Sequence, residues 1–489
     1  MKQIILFLFF VGVTLTSWAQ ISFFSLYGED EYDFGRDIVQ TSDSGYLITG
    51  MSGSFRPGHA DAFLLKINKN GFFEWSAPYG GLENDAANKL LLVENFGIYL
   101  VGSSNSWSSN GNADLYVAFT SENGDLIWEK TFPGDDWEDG VEAALTLDSG
   151  LIVGVNRTGN GTVGKDISLM RMDKLGDTVW TIDYALVGDD SITNIERYQD
   201  SLFLISSNRF NSDNSKLMAH LTMLHQDGQI VWEDTLGSGG GDYKINDFFI
   251  SNDTMFAIGG HREFDSISSD IYYYRHLLDP LNHQIVQDWG VHSADEWEGD
   301  VYTNYLGTNM RYGAYRANGS WTSQGGPDLH IGRHAYTGGW QSGVGYVDFE
   351  GYDQMFSAIP TSDSGAVMVG FTSGGSGGAS ICVLKIGPGE TYPAIQGVAF
   401  ANQLVGIYEL PIETSTFVYP NPTEDFVTVN LKNMEEANFS VVGLDGVKYD
   451  EGVFPANGKI FLGDLNAGVY LIQIMESERL ISTARVIVR

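Results

Sequence analysis

Six of the nine histidines in the 489-residue sequence fall between His261 and His334, and "HIGRH" sets His330 and His334 four residues apart. On a helix that spacing would bring two imidazoles to one face, as a metal site requires. On a strand the same residues lie roughly 13 Å apart and cannot share an ion, so no metal site is assigned to them. Carboxylates are plentiful, with 63 Asp and Glu, and a glycosidase needs only two well-placed ones. Spacing singles out no pair. H-E-x-x-H and the phosphate-binding loop are missing from the sequence, so no catalytic residue is named and a non-catalytic protein is expected. No cofactor is called for. No segment has EF-hand spacing, so a Ca2+ site would have to be assembled from separate loops.

Aromatic residues beside acids suggest a different chemistry. Trp107, Trp137, Trp297 and Trp321 stand in polar, Gly-rich stretches, and Asp136 and Glu296 adjoin two of them. An indole face stacks on a sugar ring while a carboxylate accepts from its hydroxyls, so these six residues are the candidate ligand-binding set. Tyrosines such as those of "YYY" at 272–274 are expected to fill gaps between strands instead.

The elements that must position these residues come from a repeat. Apolar runs end at Gly50, Gly102, Gly154, Ser206, Gly259, Gly313 and Gly370, in steps of 52, 52, 52, 53, 54 and 57 residues. Trp75, Trp128, Trp180, Trp232 and Trp289 keep the same period. So do the strand-opening aspartates Asp61, Asp114, Asp166, Asp270 and Asp328. The first unit reads as four strands, Asp33–Gln40, Tyr46–Met51, Ala62–Asn68 and Phe73–Tyr79, with a long polar loop between the second and third. The "TSDSG" at 41–45 and at 361–365 is one turn in the first and last units. Four short strands per unit indicate a seven-bladed β-propeller spanning 20–390. The last unit lacks a fourth strand, and "ISFFSLYG" before the first unit is expected to supply it from residues 22–27 and close the ring.

In a propeller the loops entering each blade share a face with those between its second and third strands. Here the entering loops are acidic, as in "GEDEYD" (28–33) and "SADEWEGD" (293–300). That face is the expected ligand side. Asp33, Asp85, Asp139, Asp242, Asp300 and Asp353 recur at one slot, and Lys66, Arg171, Arg275, Arg333 and Lys385 at another. Features repeated in every blade are read as architectural latches. His276 and His334 also occupy equivalent positions, which favours a structural role for them.

The repeat resembles a family of secreted bacterial propellers, best over residues 27–81 and more loosely to about 390. The likeness implies a fold and says little about a ligand. From 416 to 489, after a linker at 391–415, the chain reads as a small Ig-like β-sandwich. Its ordered motifs "YPNPT" (419–423), "GLDG" (443–446) and "LNAGVYLIQI" (465–474) resemble the type A C-terminal sorting domain of the type IX secretion system of Bacteroidota. By position Tyr419, Pro420, Asn421, Pro422, Gly446, Gly468 and Tyr470 match that signal. The resemblance implies the type IX translocon and its C-terminal signal peptidase as partners. Six Asp-Ser/Thr-aliphatic triplets, "DTV" at 177–179 among them, resemble the short O-glycosylation motif of the same bacteria and equally suit turns that feed strands.

Residues 1–19 have Lys2, an apolar run and Ala19, the pattern of a secretory signal. No later segment is long and apolar enough to span a bilayer. A formal charge of −36 excludes nucleic acid as a partner. Cys382 is the sole cysteine, so an internal disulfide cannot form. The expectation is an exported surface or secreted propeller that binds a glycan or a surface protein, or serves as a scaffold. The alternative is a polysaccharide-active hydrolase or lyase.

Overall fold

The structure is a computed structural model that describes residues 23–387 and 417–488, apart from short breaks of which 292–300, 318–327 and 431–437 are the longest. Between residues 256 and 353 the described side chains are those of 276–280, 283 and 284. The chain divides into two compact units, Met1–Leu404 and Val405–Arg489.

The first unit is built of antiparallel sheets that follow one another along the chain. Sheet one consists of Asp33–Gln40, Tyr46–Arg56, His59–Ile67 and Phe73–Tyr79, hydrogen-bonded in sequence order. The second and third strands run longer than expected, with Arg56 opposite His59. The register shifts between Ser52 and Arg56, and within that stretch Phe55 turns inward, 5 % exposed, with its ring 6.1 Å from that of Phe63. Sheets two to six repeat the plan, their first strands being Asp85–Val93, Trp137–Leu145, Ser191–Gln199, the pair Gly241–Tyr243 and Asp247–Ser251, and Val301–Leu306. Sheet seven takes Asp353–Pro360, Ala366–Thr372 and Ser380–Ile386 from one end of the unit and Phe23–Tyr27 from the other, with Phe23 opposite Lys385 and Tyr27 opposite Ile381.

That N-terminal strand makes the contacts of a true fourth strand. The Tyr27 hydroxyl donates to the Gly71 carbonyl at 2.5 Å, and Tyr79, one period later, donates to Gly124 at 2.7 Å. A Cβ on Gly71 would meet the Phe23 ring at 2.6 Å, as one on Gly124 would meet Trp75 at 2.7 Å and one on Gly176 would meet Trp128 at 2.6 Å. The outer strands of sheets seven, one and two thus each lay an aromatic ring over the next sheet's glycine turn, and Phe23 stands where sheets one and two place tryptophan. The first strand of sheet one packs against those of both sheet two and sheet seven.

The repeated turn also has a physical reading. In "TSDSG" the Thr41 hydroxyl and the Gly45 N–H both donate to Asp43 Oδ1, and Ser44 sits at φ 66°. The carboxylate then receives the ammonium of Lys66 at 2.9 Å. Asp363 repeats this with Thr361, Gly365 and Lys385, and Asp148 with Thr146 and Arg171. The latch expected of Lys66, Arg171 and Lys385 is therefore a bond to the turn aspartate. Arg275 and Arg333 lie outside the described side chains.

The second unit packs two antiparallel sheets about one core. One holds Phe417–Tyr419, Phe426–Asn430 and Lys459–Phe461. The other holds Asn438–Gly443, Lys448–Val453, Gly468–Glu476 and Arg479–Val488. Val427 and Ile460 from the first meet Val441, Ile472, Ile474 and Val486 from the second, each at most 1 % exposed. Tyr470, of the sorting motif, is 6 % exposed and donates to the Asn466 carbonyl at 2.8 Å. Its hydroxyl thereby braces the turn before its own strand. Tyr419 and Gly468 are placed in strands, whereas Pro420, Asn421, Pro422 and Gly446 lie outside the described residues.

Candidate functional site

The first strands line a central cavity of about 820 Å³. In five of them a β-bulge interrupts the ladder, between Gly35 and Asp37, Ala87 and Lys89, Gly140 and Glu142, Ile192 and Asn194, and Met355 and Ser357. A bulge inserts one residue and re-aims its neighbours. Here it brings consecutive residues such as Arg36–Asp37 and Asn88–Lys89 to the cavity wall. The bulges also explain why the apolar runs end in glycine. A Cβ on Gly50, Gly102 or Gly370 would collide with the carbonyl oxygen of Phe34, Ala86 or Gln354 in the bulged strand. In sheet four Ser206 replaces that glycine and its hydroxyl bonds that of Thr193 at 2.7 Å.

The cavity gathers ionisable groups that are not repeated from sheet to sheet. Lys89 Nζ lies 3.0 Å from Glu142 and 3.8 Å from Asp37. Asp37 also accepts from the Leu90 N–H at 3.0 Å and the Ser357 hydroxyl at 2.7 Å. Asp247 accepts from Asn194 Nδ2 at 2.5 Å and from the Phe248 N–H at 2.8 Å. Asp139 accepts from Asn88 Nδ2 at 2.7 Å. Nearly every one of these bonds crosses from one sheet to another, so the network cross-links the inner strands.

Burial dominates the electrostatics. It would lower Lys89, but the charges of Asp37 and Glu142 outweigh it and hold the ammonium above its usual value. Burial raises Glu142 against the pull of Lys89, and raises Asp247 well above the carboxylate range with Glu142 adding to the effect. Glu196 is pushed up to about 7 by burial, offset in part by the Ile250 N–H and Lys89. It therefore holds or releases a proton near neutrality. Sequence reasoning missed this cluster because its members share no motif. The bulges brought them together, and the signal for those was a small residue two places before Asp37 and Lys89.

On the loop face, Trp107 is 47 % exposed and stacks on Tyr116 with centroids 6.0 Å apart, and Trp137 is 48 % exposed. They flank one seam, because the Glu138 N–H after Trp137 donates at 2.8 Å to Ala113, which ends the loop carrying Trp107. Tyr32 and Leu82, in the segments entering sheets one and two, are also exposed. Asp136, Glu296, Trp297 and Trp321 lie outside the described residues.

The entering-aspartate latch needs a correction. The backbone N–H of Asp33 donates to Ala379 in the neighbouring sheet, and those of Glu138 and Asp190 donate to Ala113 and Lys165, all at 2.8 Å. Glu138 therefore takes the expected place of Asp139, and Asp190 joins the set. In sheet three the bulge follows one ladder pair after Asp139, whereas in sheet one it follows two pairs after Asp33, which turns Asp139 to the cavity. Asp85 and Asp242 keep latch contacts, from Gly81 and Leu217 N–H groups at 2.8 and 2.9 Å. Asp300 and the Asp353 side chain lie outside the described residues.

Among the histidines, His276 has a fully buried side chain. Its ring nitrogens meet Asp234 and the Leu277 carbonyl at 2.7 Å each, and its ring stacks on Trp232, as the structural reading expected. The side chains of His330 and His334 lie outside the described residues. Among the described residues no three metal-binding side chains gather, and no helix is long and apolar enough to cross a membrane.

No curated protein matches this sequence. Solved structures match at low similarity. An acylaminoacyl peptidase from Pyrococcus horikoshii is 12 % identical at a TM-score of 0.40, covering 91 % of this chain and 59 % of its own. The β-propeller domain of the Trilobed protease from Pyrococcus furiosus is 10 % identical at 0.38, covering 78 % and 100 %. The α-L-arabinofuranosidase Arb93A from Fusarium graminearum is 10 % identical at 0.37, covering 76 % and 98 %. This chain spans 44 % of a puromycin hydrolase and 61 % of a second acylaminoacyl peptidase structure, less than two thirds of either. Residues 417–489 match the family described as the secretion system C-terminal sorting domain. With the sheets of the first unit, that match makes the chain an exported protein of β-propeller type that carries this sorting domain at its C-terminus.

Proposed function

We propose that the chain is a seven-bladed propeller closed by its N-terminal strand, exported by the Sec route and then the type IX system. On this reading it is displayed at or released from the surface of a Bacteroidota cell and acts there as a non-catalytic binding protein. The second unit is read as an Ig-like sandwich addressed to the translocon and its signal peptidase. One observation carries the binding role. The carboxylates Asp37, Asp139, Glu142 and Asp247 in the cavity are all held by side chains or N–H groups of the surrounding strands, whereas Trp107 and Trp137 stand exposed at one seam of the loop face. Exposed indoles beside acids suit a glycan. Retention of the full chain on a polysaccharide panel tests this, with Trp107→Ala and Trp137→Ala each expected to weaken retention at least ~10-fold. Equal retention by the double variant would sink the glycan reading.

A second reading, a hydrolase or lyase on polysaccharide, is favoured by Glu196, whose raised pKa of about 7 suits a general acid. Reducing-end or unsaturated product released by the wild type and lost in Glu196→Gln would establish it. No product on any retained polysaccharide would remove it.

A further inference from the structure

The seams between consecutive sheets carry a second set of buried carboxylates, separate from the cavity. Asp61, Asp114 and Asp166, on third strands, are 0, 2 and 5 % exposed, and Asp85, Glu138 and Asp190, entering the next sheet, are 2, 9 and 0 % exposed. Contacts made by these residues or their chain neighbours bring the two strands together at each seam. The Ala60 N–H donates to Asn84 Oδ1 at 3.0 Å, Glu138 N–H to the Ala113 carbonyl at 2.8 Å and Asp190 N–H to the Lys165 carbonyl at 2.8 Å. Two carboxylates buried close together repel each other, and a cation between them relieves the repulsion.

The seam between sheets three and four adds an independent sign. Asp190 Oδ1 accepts from the Phe210 N–H at 2.8 Å, yet Asp190 Oδ2, equally buried, has no hydrogen-bond partner among the described residues. A buried oxygen left unmet keeps the full cost of its lost hydration. The charges facing it are those of Asp166 and Asp189, which oppose it, and Arg209, which favours it. Arg209 is engaged elsewhere, with Ser207 at 2.8 Å, Glu233 at 3.6 Å and the Tyr184 ring at 4.7 Å. The Lys165 side chain is exposed, and its N–H donates to Asp189 at 3.0 Å. Gly164 and Gly188, at φ 139° and 105°, bring the Gly188 carbonyl against the opposing chain. Carboxylate and carbonyl oxygens without nitrogen or sulfur form the ligand set of a hard cation.

We propose that the seam at Asp166 and Asp190 binds a calcium ion, with backbone oxygens and water completing its shell. The ion fastens sheet three to sheet four in a chain whose single cysteine rules out an internal disulfide.

Equilibrium dialysis of the full chain against millimolar calcium, with thermal unfolding in calcium and in chelator, tests the site. The wild type is expected to bind calcium and to melt higher with it. Asp190→Asn is expected to bind about one ion fewer per chain with an unchanged circular-dichroism spectrum, while Asp189→Asn binds as the wild type does. Should Asp190→Asn fail to fold, Asp166→Asn is expected to bind about one ion fewer per chain in its place. A wild type that binds no calcium overturns the proposal. So does equal stoichiometry in Asp190→Asn or, where that variant does not fold, in Asp166→Asn.

Discussion

Single carboxylates in this protein are driven in opposite directions by their surroundings, and the two groups have opposite pH signatures. Burial would raise Asp43, but the bonds from Thr41, Lys66 and Gly45 prevail and bring it down to about 2; Asp148 and Asp363 are lowered in the same type of turn. A depressed carboxylate stabilises the fold above its unfolded pKa, so this contribution is intact at pH 5 and disappears as pH falls from about 4 to 2. Glu196 behaves inversely. Its folded pKa near 7 lies above the unfolded value, so the folded state holds the extra proton and loses stability as pH rises from about 4.5 to 7. Glu196→Gln should therefore raise Tm at pH 8, by roughly 1–3 kcal/mol of stability, and flatten the slope between pH 5 and 8. An unaltered slope in a pH series of melts would show that Glu196 is not the titrating group. At the turn latch, Asp363→Ala removes the carboxylate that holds the buried Lys385 ammonium, 2 % exposed, and should cost roughly 2–4 kcal/mol. Lys385→Met should cost clearly less, since Asp363 can turn to water. Chemical denaturation of both variants checks the asymmetry.

At the scale of elements, the outer strands are held by a repeated pair of contacts, an aromatic ring over the next sheet's glycine and a hydroxyl to that glycine's carbonyl. Tyr27→Phe and Tyr79→Phe remove equivalent bonds and should each cost about 1 kcal/mol. Markedly unequal costs in urea melts would mean that Phe23–Tyr27 is a looser strand than its counterpart. Deleting residues 22–27 uncovers the edge of Ser380–Ile386, and an exposed edge recruits other chains. Light scattering should then show association, reversed by a peptide carrying "ISFFSLYG". A monodisperse deletion variant with wild-type melting would count against closure by this strand. Bulge and glycine are likewise one device. Gly102→Ala must push the Ala86 carbonyl aside and should cost roughly 1–3 kcal/mol, with an altered near-ultraviolet spectrum as the wall residues shift.

For the molecule as a whole, the two units divide address from action. The sorting unit has a core of its own, so removing residues 417–489 should leave the first unit folded but keep it from the cell exterior. Fractionation in a host with a type IX system should find the truncated chain inside the cell envelope. Its appearance at the surface or in the medium would show that the first unit carries an export signal of its own.

How much of this was legible in the sequence varies with the range of the interaction. Period, strand number and turn position were readable from Gly50, Trp75 and Asp61 and their repeats, because strand alternation and turn chemistry act over a few residues and recur every 52. The N-terminal strand was recognisable as a displaced fourth strand for the same reason, since "SLYG" repeats the end of "SAPYG". The choice between Asp139 and Glu138 was not legible, because a bulge shifted by one ladder pair exchanges the two and leaves no mark in composition. Nor was the cavity cluster. Asp37, Lys89, Glu142, Glu196 and Asp247 stand 51–54 residues apart in five different strands, and only the curvature that brings first strands together puts their charges in reach. Local chemistry determined the blades, and the tertiary structure alone decided which of many similar acids are buried, because burial depends on which distant strand lies opposite.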